Sequence, residues 1–219
     1  MLETVAQKPK CQNCQQEQRS YRGLKHGLCR TCREEKNKFE QQTKARTAIA
    51  GLLDREDVLI LDTETTGMSN AEVIEVSVIN TKGDILLDTL VKPRTTTMNP
   101  YAYRVHNISM SMLKDAPGWP DILPQLHDIA KESTVLAWNA SFDARMLEQS
   151  STVWDLEHPR WLFVCAMRLY AKKRGIKPRG LHKAVVDENL SYLLEQYVSH
   201  RALGDVRFVL EVLRATVKA

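Results

Sequence analysis

A mixed α/β sheet flanked by helices, preceded by a small cysteine-rich unit and a connecting helix, is the architecture this sequence predicts. Three observations carry the prediction. Four of the five cysteines fall within residues 11–32, apolar and β-branched runs crowd residues 58–93, and helical patterns alternate with one further apolar run from there onward. The 219 residues are 43% hydrophobic and 26% charged, enough for one core with an appendage and too balanced for wholesale disorder. No apolar run approaches the eighteen or so residues of a membrane span, so an integral membrane protein is excluded.

The cysteine-rich unit comes first. Cys11-x2-Cys14 and Cys29-x2-Cys32 form two knuckles separated by 14 residues, one short of the common zinc spacing of about 15–20. Each knuckle can aim two thiolates at one tetrahedral ion, and Zn²⁺ favours four such ligands. A segment this short and this polar needs such a staple to fold, so one structural Zn²⁺ is expected. Disulfides are the rival use. The start, MLETVAQKPK, lacks the apolar stretch of a secretory signal, so a reducing, cytoplasmic setting is expected. His26 offers an alternative ligand, while Cys165, alone in WLFVCAM, reads as a small buried core residue.

Charge divides the same way. Residues 1–50 carry a net +6 and the remainder −2. A basic arm on a mildly acidic body suggests an anionic partner, nucleic acid first, with protein docking as the alternative. From Cys32 to about residue 54 a proline-free segment carries Phe39, Ala45, Ala48, Ile49 and Leu52 on a weak helical stripe. The resulting division is a finger at 1–35, a helical linker at 36–54 and a body at 55–219.

In the body, VLILD (58–62) reads as a strand followed by a TETTG turn, and EVIEVSVIN (72–80) and DILLDTLVKP (84–93) as two more. Helices are expected at 109–114, 121–131, 141–150, 165–173, 180–188 and 203–217, with a strand at TVLAW (134–138). The body's informative residues are carboxylates. Asp62 and Glu64, two apart, share one face of a strand at its carboxyl end, where open α/β sheets place ligands. Asp143 follows the second apolar strand near a helix start. Asp205 follows His200 by five residues, about 140° around a helix, so the two converge only if His200 stands on the loop before it. Gly204 beside Asp205 permits a close approach of a neighbouring segment.

Asp62-Thr63-Glu64-Thr65-Thr66-Gly67, Asn139-Ala140-Ser141-Phe142-Asp143 and His200-Arg201-Ala202-Leu203-Gly204-Asp205 resemble, in order and separation, the three motifs of the DEDDh, or DnaQ-like, 3′–5′ exonucleases. That group includes the proofreading epsilon subunit of bacterial DNA polymerase III. Val105-His106-Asn107-Ile108 resembles a further segment, with Asn107 where the family has glycine; an Asn tolerates the positive φ such a loop needs. The resemblance covers about residues 55–217 and implies a ribonuclease H-like, five-stranded mixed sheet. The finger lies outside it.

The same resemblance implies the chemistry. Four carboxylates together need cations, and two Mg²⁺ or Mn²⁺ about 3.5–4 Å apart suit phosphodiester hydrolysis. Asp62 would bridge both ions, Glu64 and Asp205 would complete one site, Asp143 would act mainly through water, and His200 would be the general base. Thr65, Met68, His106, Asn139 and Phe142 are the candidate substrate contacts. The acid-free run Arg168, Lys172, Lys173, Arg174, Lys177, Arg179 and Lys183 either tracks a phosphate backbone or edges a solvated helix. The expected function is DNA hydrolysis from a 3′ end in proofreading or repair, with a polymerase or repair partner. The alternatives are an exoribonuclease and a finger protein that binds nucleic-acid ends without cutting them.

Overall fold

The computed structural model describes residues 8–18, 21–94, 97–158 and 160–218. Residues 1–7, on which the reading of the N-terminal start partly rests, lie outside the described residues. Five strands form one sheet in the order β3-β2-β1-β4-β5. β1 (Val58–Thr65), β2 (Val73–Asn80) and β3 (Ile85–Leu90) make an antiparallel meander; β4 (Thr134–Ala137) and β5 (Leu162–Cys165) extend it in parallel on the far side of β1. The carboxyl ends of β1, β4 and β5 therefore share one edge of the sheet. This is the mixed five-stranded architecture expected above.

Period-two side-chain alternation sorts the core onto two faces. Val58 and Ile60 of β1 pack with Ile79 and Leu136 against α8 (Ala202–Lys218), through Val206, Val209, Leu210 and Leu213. Leu59 and Leu61 face the other way, with Val76, Val78 and Val135, against α3 (Trp119–Ala130) and α4 (Ala140–Val153). Asp62 and Glu64 continue the first series, so both carboxylates leave β1 on the α8 side.

The helix after the finger is 24 residues long, α1 (Arg30–Leu53), and begins between Cys29 and Cys32. Its far end is built into the body. Ile49 is fully buried beside Val212 and Leu213, with Leu52 and Leu53 packed on the same cluster, and Arg46 Nε donates to the Val217 carbonyl at 3.0 Å. Burying Ile49 alone contributes about 1.5–3 kcal/mol, which fixes the helix against α8 and α5 (Ala166–Arg174).

Several elements differ from the pattern-based expectation. β1 runs on through the TET that reads as a turn, and the chain leaves the strand only after Thr65. A seven-residue helix, α2 (Pro100–His106), occupies a segment given no element above; Asn99 caps it, its side chain accepting from Tyr101 N, and Asn107 ends it at φ 56°. Residues 109–114 form successive turns rather than a helix. The Ser109 and Ser111 hydroxyls bond each other at 2.7 Å, and Pro117 blocks continuation. Ile108 and Leu113 instead pin this segment by burial beside Ile74. Cys165 is half-buried rather than core. It ends the edge strand β5, and its thiol donates to the Trp138 carbonyl at 3.3 Å.

Candidate active site

The carboxyl end of β1 carries Asp62 and Glu64, and the first turn of α8 brings Asp205 opposite them. One oxygen from each of the three lies within 4.8 Å of the others. Asp143, in the first turn of α4, approaches from the other side of the strand, and Thr63 Oγ1 donates to its Oδ1 at 2.9 Å. Crowding of this kind penalises ionisation. Burial first, then the charges of Asp143, Asp205 and Glu64, hold Asp62 well above the usual carboxylate range. Burial, then Asp205, pushes Glu64 up to about 8. Burial raises Asp143 to about 7 against the opposing Thr63 bond. Oxygen donors that resist ionising until a cation arrives fit a hard divalent ion.

His200 stands on the loop before α8, at φ 55°, and its backbone N–H donates to Asp205 Oδ1 at 3.3 Å. Gly204 makes that loop possible: a Cβ there would lie 2.1 Å from the Val198 carbonyl oxygen. Burial, then the neighbouring His182, lowers the His200 pKa, so the ring is neutral at pH 7 and able to take a proton.

The candidate substrate residues divide. Met68 is 65% exposed just beyond β1 and lines a cavity of about 320 Å³ with Thr66, Asn70 and Asn99. Phe142 is half-buried beneath the Arg145 guanidinium, 5.5 Å from its ring centre, and Arg145 Nη2 also donates to the Met68 carbonyl. Asn139 is exposed at the start of α4 and accepts from Ser141 Oγ. Thr65 and His106 are both buried. The Thr65 hydroxyl donates to the Gly67 carbonyl at 2.6 Å, shaping the turn. His106 is 4% exposed; Nδ1 accepts from Ile108 N at 2.9 Å, so Nε2 carries the proton toward the Thr65 carbonyl at 3.3 Å. Both ring nitrogens are committed to holding the loop.

Three residues escaped the motif reading. Glu75, directly opposite Glu64 across β1 and β2, is buried, pairs with the Arg201 guanidinium and accepts the Ala202 N–H at 2.9 Å. It thereby ties the His200 loop to the sheet, and an acid inside the apolar run VIEVSVI (73–79) is the signal for it. His182, on α6 (Leu181–Asp187), places its ring 4.3 Å from that of His200 and Nε2 3.7 Å from Asp205 Oδ1. Arg145 is the third, and the sequence carries no pattern that marks His182 or Arg145.

Away from the cleft, all four finger sulfurs lie within 4.8 Å of one another. Cys14 and Cys29 sulfurs are 3.8 Å apart, far beyond a disulfide and equal to the separation of about 3.8 Å that tetrahedral Zn–S bonds of about 2.3 Å require. Backbone N–H groups, that of Cys29 first, lower Cys11 to about 6, so the thiolate forms readily. The donor set fits one Zn²⁺. His26, φ 53°, is not among these grouped ligands.

Three clustered carboxylates, with Asp143 beside them and a loop histidine adjoining, stand at the carboxyl edge of a ribonuclease H-like sheet, as oxygen donors fit for a divalent cation in a nuclease. The family described as Exonuclease (RNase T) matches residues 59–213, and the chain belongs to it. An uncharacterized exonuclease, CP81 of Escherichia phage 186, is 33% identical over 174 residues, covering 74% of this chain and 89% of its own length. Exodeoxyribonuclease 10 of Escherichia coli K12 is 31% identical over half of this chain, which spans 45% of that protein. The PolC-type DNA polymerase III of Thermotoga maritima is 28% identical over 70% of this chain, which spans 11% of it. Among solved structures, the nuclease domain of 3′hExo, a DEDDh member bound to rAMP, superposes with a TM-score of 0.63 at 17% identity, covering 74% of this chain and 92% of that one. This chain is an exonuclease of that family. Among the described residues no helix is long and apolar enough to cross a membrane.

Proposed function

We propose that the chain hydrolyses DNA from a free 3′ end, releasing nucleoside 5′-monophosphates with the help of two Mg²⁺ or Mn²⁺ ions. The observation that carries this reading is the convergence of Asp62, Glu64 and Asp205 within 4.8 Å, with His200 on the adjoining loop. Asp62, Glu64, Asp205 and Asp143 would hold the ions. Bound there, the ions supply charge stabilisation for the pentacovalent phosphate and acidify the attacking water. His200, kept neutral, accepts the proton of that water. Glu75 and Arg201 keep the His200 loop in place. Met68, Phe142 and Asn139 surround the terminal nucleotide, with Arg145 supplying a positive charge beside them.

DNA is favoured because the named relatives above include an exodeoxyribonuclease and a DNA polymerase. The second reading, an exoribonuclease, is supported by the likeness to 3′hExo, which was solved with rAMP. The division into finger (1–35), linker (36–54) and nuclease body (55–219) belongs to this reading, as do an intracellular setting and a polymerase or repair partner. Matched 5′-labelled single-stranded DNA and RNA, each with Mg²⁺ and with chelator, test it. A ladder shortening from the 3′ end on DNA, faster than on RNA and absent with chelator, is the expected result. Faster shortening of RNA transfers the function to the second reading, and no shortening on either overturns both.

A further inference from the structure

A groove of about 1090 Å³ lies on the same sheet edge as the catalytic carboxylates, beyond the ends of β4 and β5. One wall is α1, through Lys38 and Gln42; the other is α5, through Arg168 and Lys172. Its near end is formed by Ala140 and Ser141, the motif residues just ahead of Asp143 in α4. We infer that this groove is a second nucleic-acid site, which holds the single strand leading to the 3′ end between the finger helix and the body.

Charge and lining argue for that occupant. Lys38, Arg168 and Lys172 are exposed and form no ion pair among the described residues. The acid at the rim, Glu34, is already paired with Arg30. The structure thus divides the basic run read from the sequence. Arg174 and Arg179 are neutralised by Glu188 and Asp187, whereas Arg168 and Lys172 face the groove uncompensated. Between the cationic walls the floor is apolar, with Phe163, Val164 and Ile176. Cations spaced along an apolar floor with an aromatic ring match a strand whose phosphates face out and whose bases lie in. The groove exists only because α1 closes on α5. At Gly175 a Cβ would lie 2.6 Å from Lys38 Cε, so the two helices meet there at close quarters.

This inference rests on the exonuclease reading, since it extends that site's substrate outward from the 3′ end. It is tested in the full chain. In an Asp62→Asn background, where turnover is silenced, the affinity for fluorescein-labelled single-stranded DNA of about 16 nucleotides is measured by anisotropy. Arg168→Ala with Lys172→Ala removes one wall, Lys38→Ala the other, and Lys114→Ala with Lys131→Ala removes two charges elsewhere. The wall variants are expected to weaken binding by about ten-fold, with a log Kd against log salt slope shallower by about 0.7 per charge removed. The control pair should move neither by more than about two-fold. In the active chain the loss appears in KM and grows with substrate length, while kcat holds. Wall variants that bind like the control overturn the groove. So does competition by poly-glutamate as strong as by oligonucleotide of equal charge, which makes the groove a seat for an acidic protein segment. Cleavage by the otherwise unaltered chain in the same assay keeps the exonuclease reading standing in either case. A chain that cleaves no oligonucleotide overturns that reading, and the groove with it.

Discussion

The finger and the nuclease body would, on the proposed reading, use metal in opposite ways. In the finger, Cys11, Cys29 and Cys32 are themselves the buried core, with Leu24 and Leu28 alone among the described apolar residues packed against them. Four sulfurs around one ion replace the apolar interior that such a segment cannot build. The body has apolar layers on both faces of its sheet, and its burial of Asp62, Glu64 and Asp143 disfavours their charged forms. On the proposed reading, metal is a structural element in one region and relieves electrostatic strain in the other. A chelator should therefore unfold the first and silence the second.

The largest expected effect belongs to the body. Asp62→Asn should lower kcat by several orders of magnitude while circular dichroism shows the fold intact, because the carboxylate serves the ions and not the core. Near-normal turnover in the purified variant would dissolve the contrast between the regions. Next is His200→Ala, which should reduce kcat by roughly 10²–10⁴ with little change in the Mg²⁺ concentration for half-maximal rate. A variant that recovers full turnover at saturating Mn²⁺ would make His200 a ligand instead. On the other side of the comparison, the full chain should retain one Zn²⁺ by elemental analysis, and Cys29→Ser should lose it and weaken binding of long oligonucleotides by about ten-fold. Hydrolysis of dinucleotides should change less than about two-fold, since no catalytic carboxylate touches the finger. Loss of dinucleotide activity would show that the finger supports the cleft directly.

How far the sequence was legible follows the same division of physical causes. Asp62 stands out because it ends the apolar run VLIL, whereas Glu64, Asp143 and Asp205 are legible from the order and separation of the three motifs they belong to. Asn107 at φ 56° and Gly204 against Val198 were also readable, because backbone conformation restricts residue type. The Asn99 cap, Pro100 and Asn107 spell out α2 by the usual start and stop signals. β5 was not legible as a strand, since four apolar residues running straight into a helix carry no period. His182 was invisible for a different reason. Its partners His200 and Asp205 come from another helix and its preceding loop, so only the packing of α6 on α8 brings them together.

The smallest expected effect is the sharpest test of the comparison, because the two regions should answer pH in opposite directions. Glu64 at about 8, Asp143 at about 7 and the raised Asp62 keep protons in the folded body that an unfolded chain would have released. Native protein therefore binds more protons than unfolded protein above the ordinary carboxylate range. Stability from these groups is fully present below about pH 4 and is lost as pH rises through about 7–8. Added Mg²⁺ should restore it at high pH and do little at low pH. The finger runs the other way: its thiols must release protons to bind zinc, so it loosens as pH falls. Thermal melts of protein loaded with one equivalent of Zn²⁺, from pH 5 to pH 9, with and without Mg²⁺, measure the body. Asp62→Asn should raise the magnesium-free Tm at pH 8 by about 2–4 °C for each kcal/mol of repulsion it removes. If it lowers the Tm instead, the carboxylates are not strained, and metal in the body has a structural role after all.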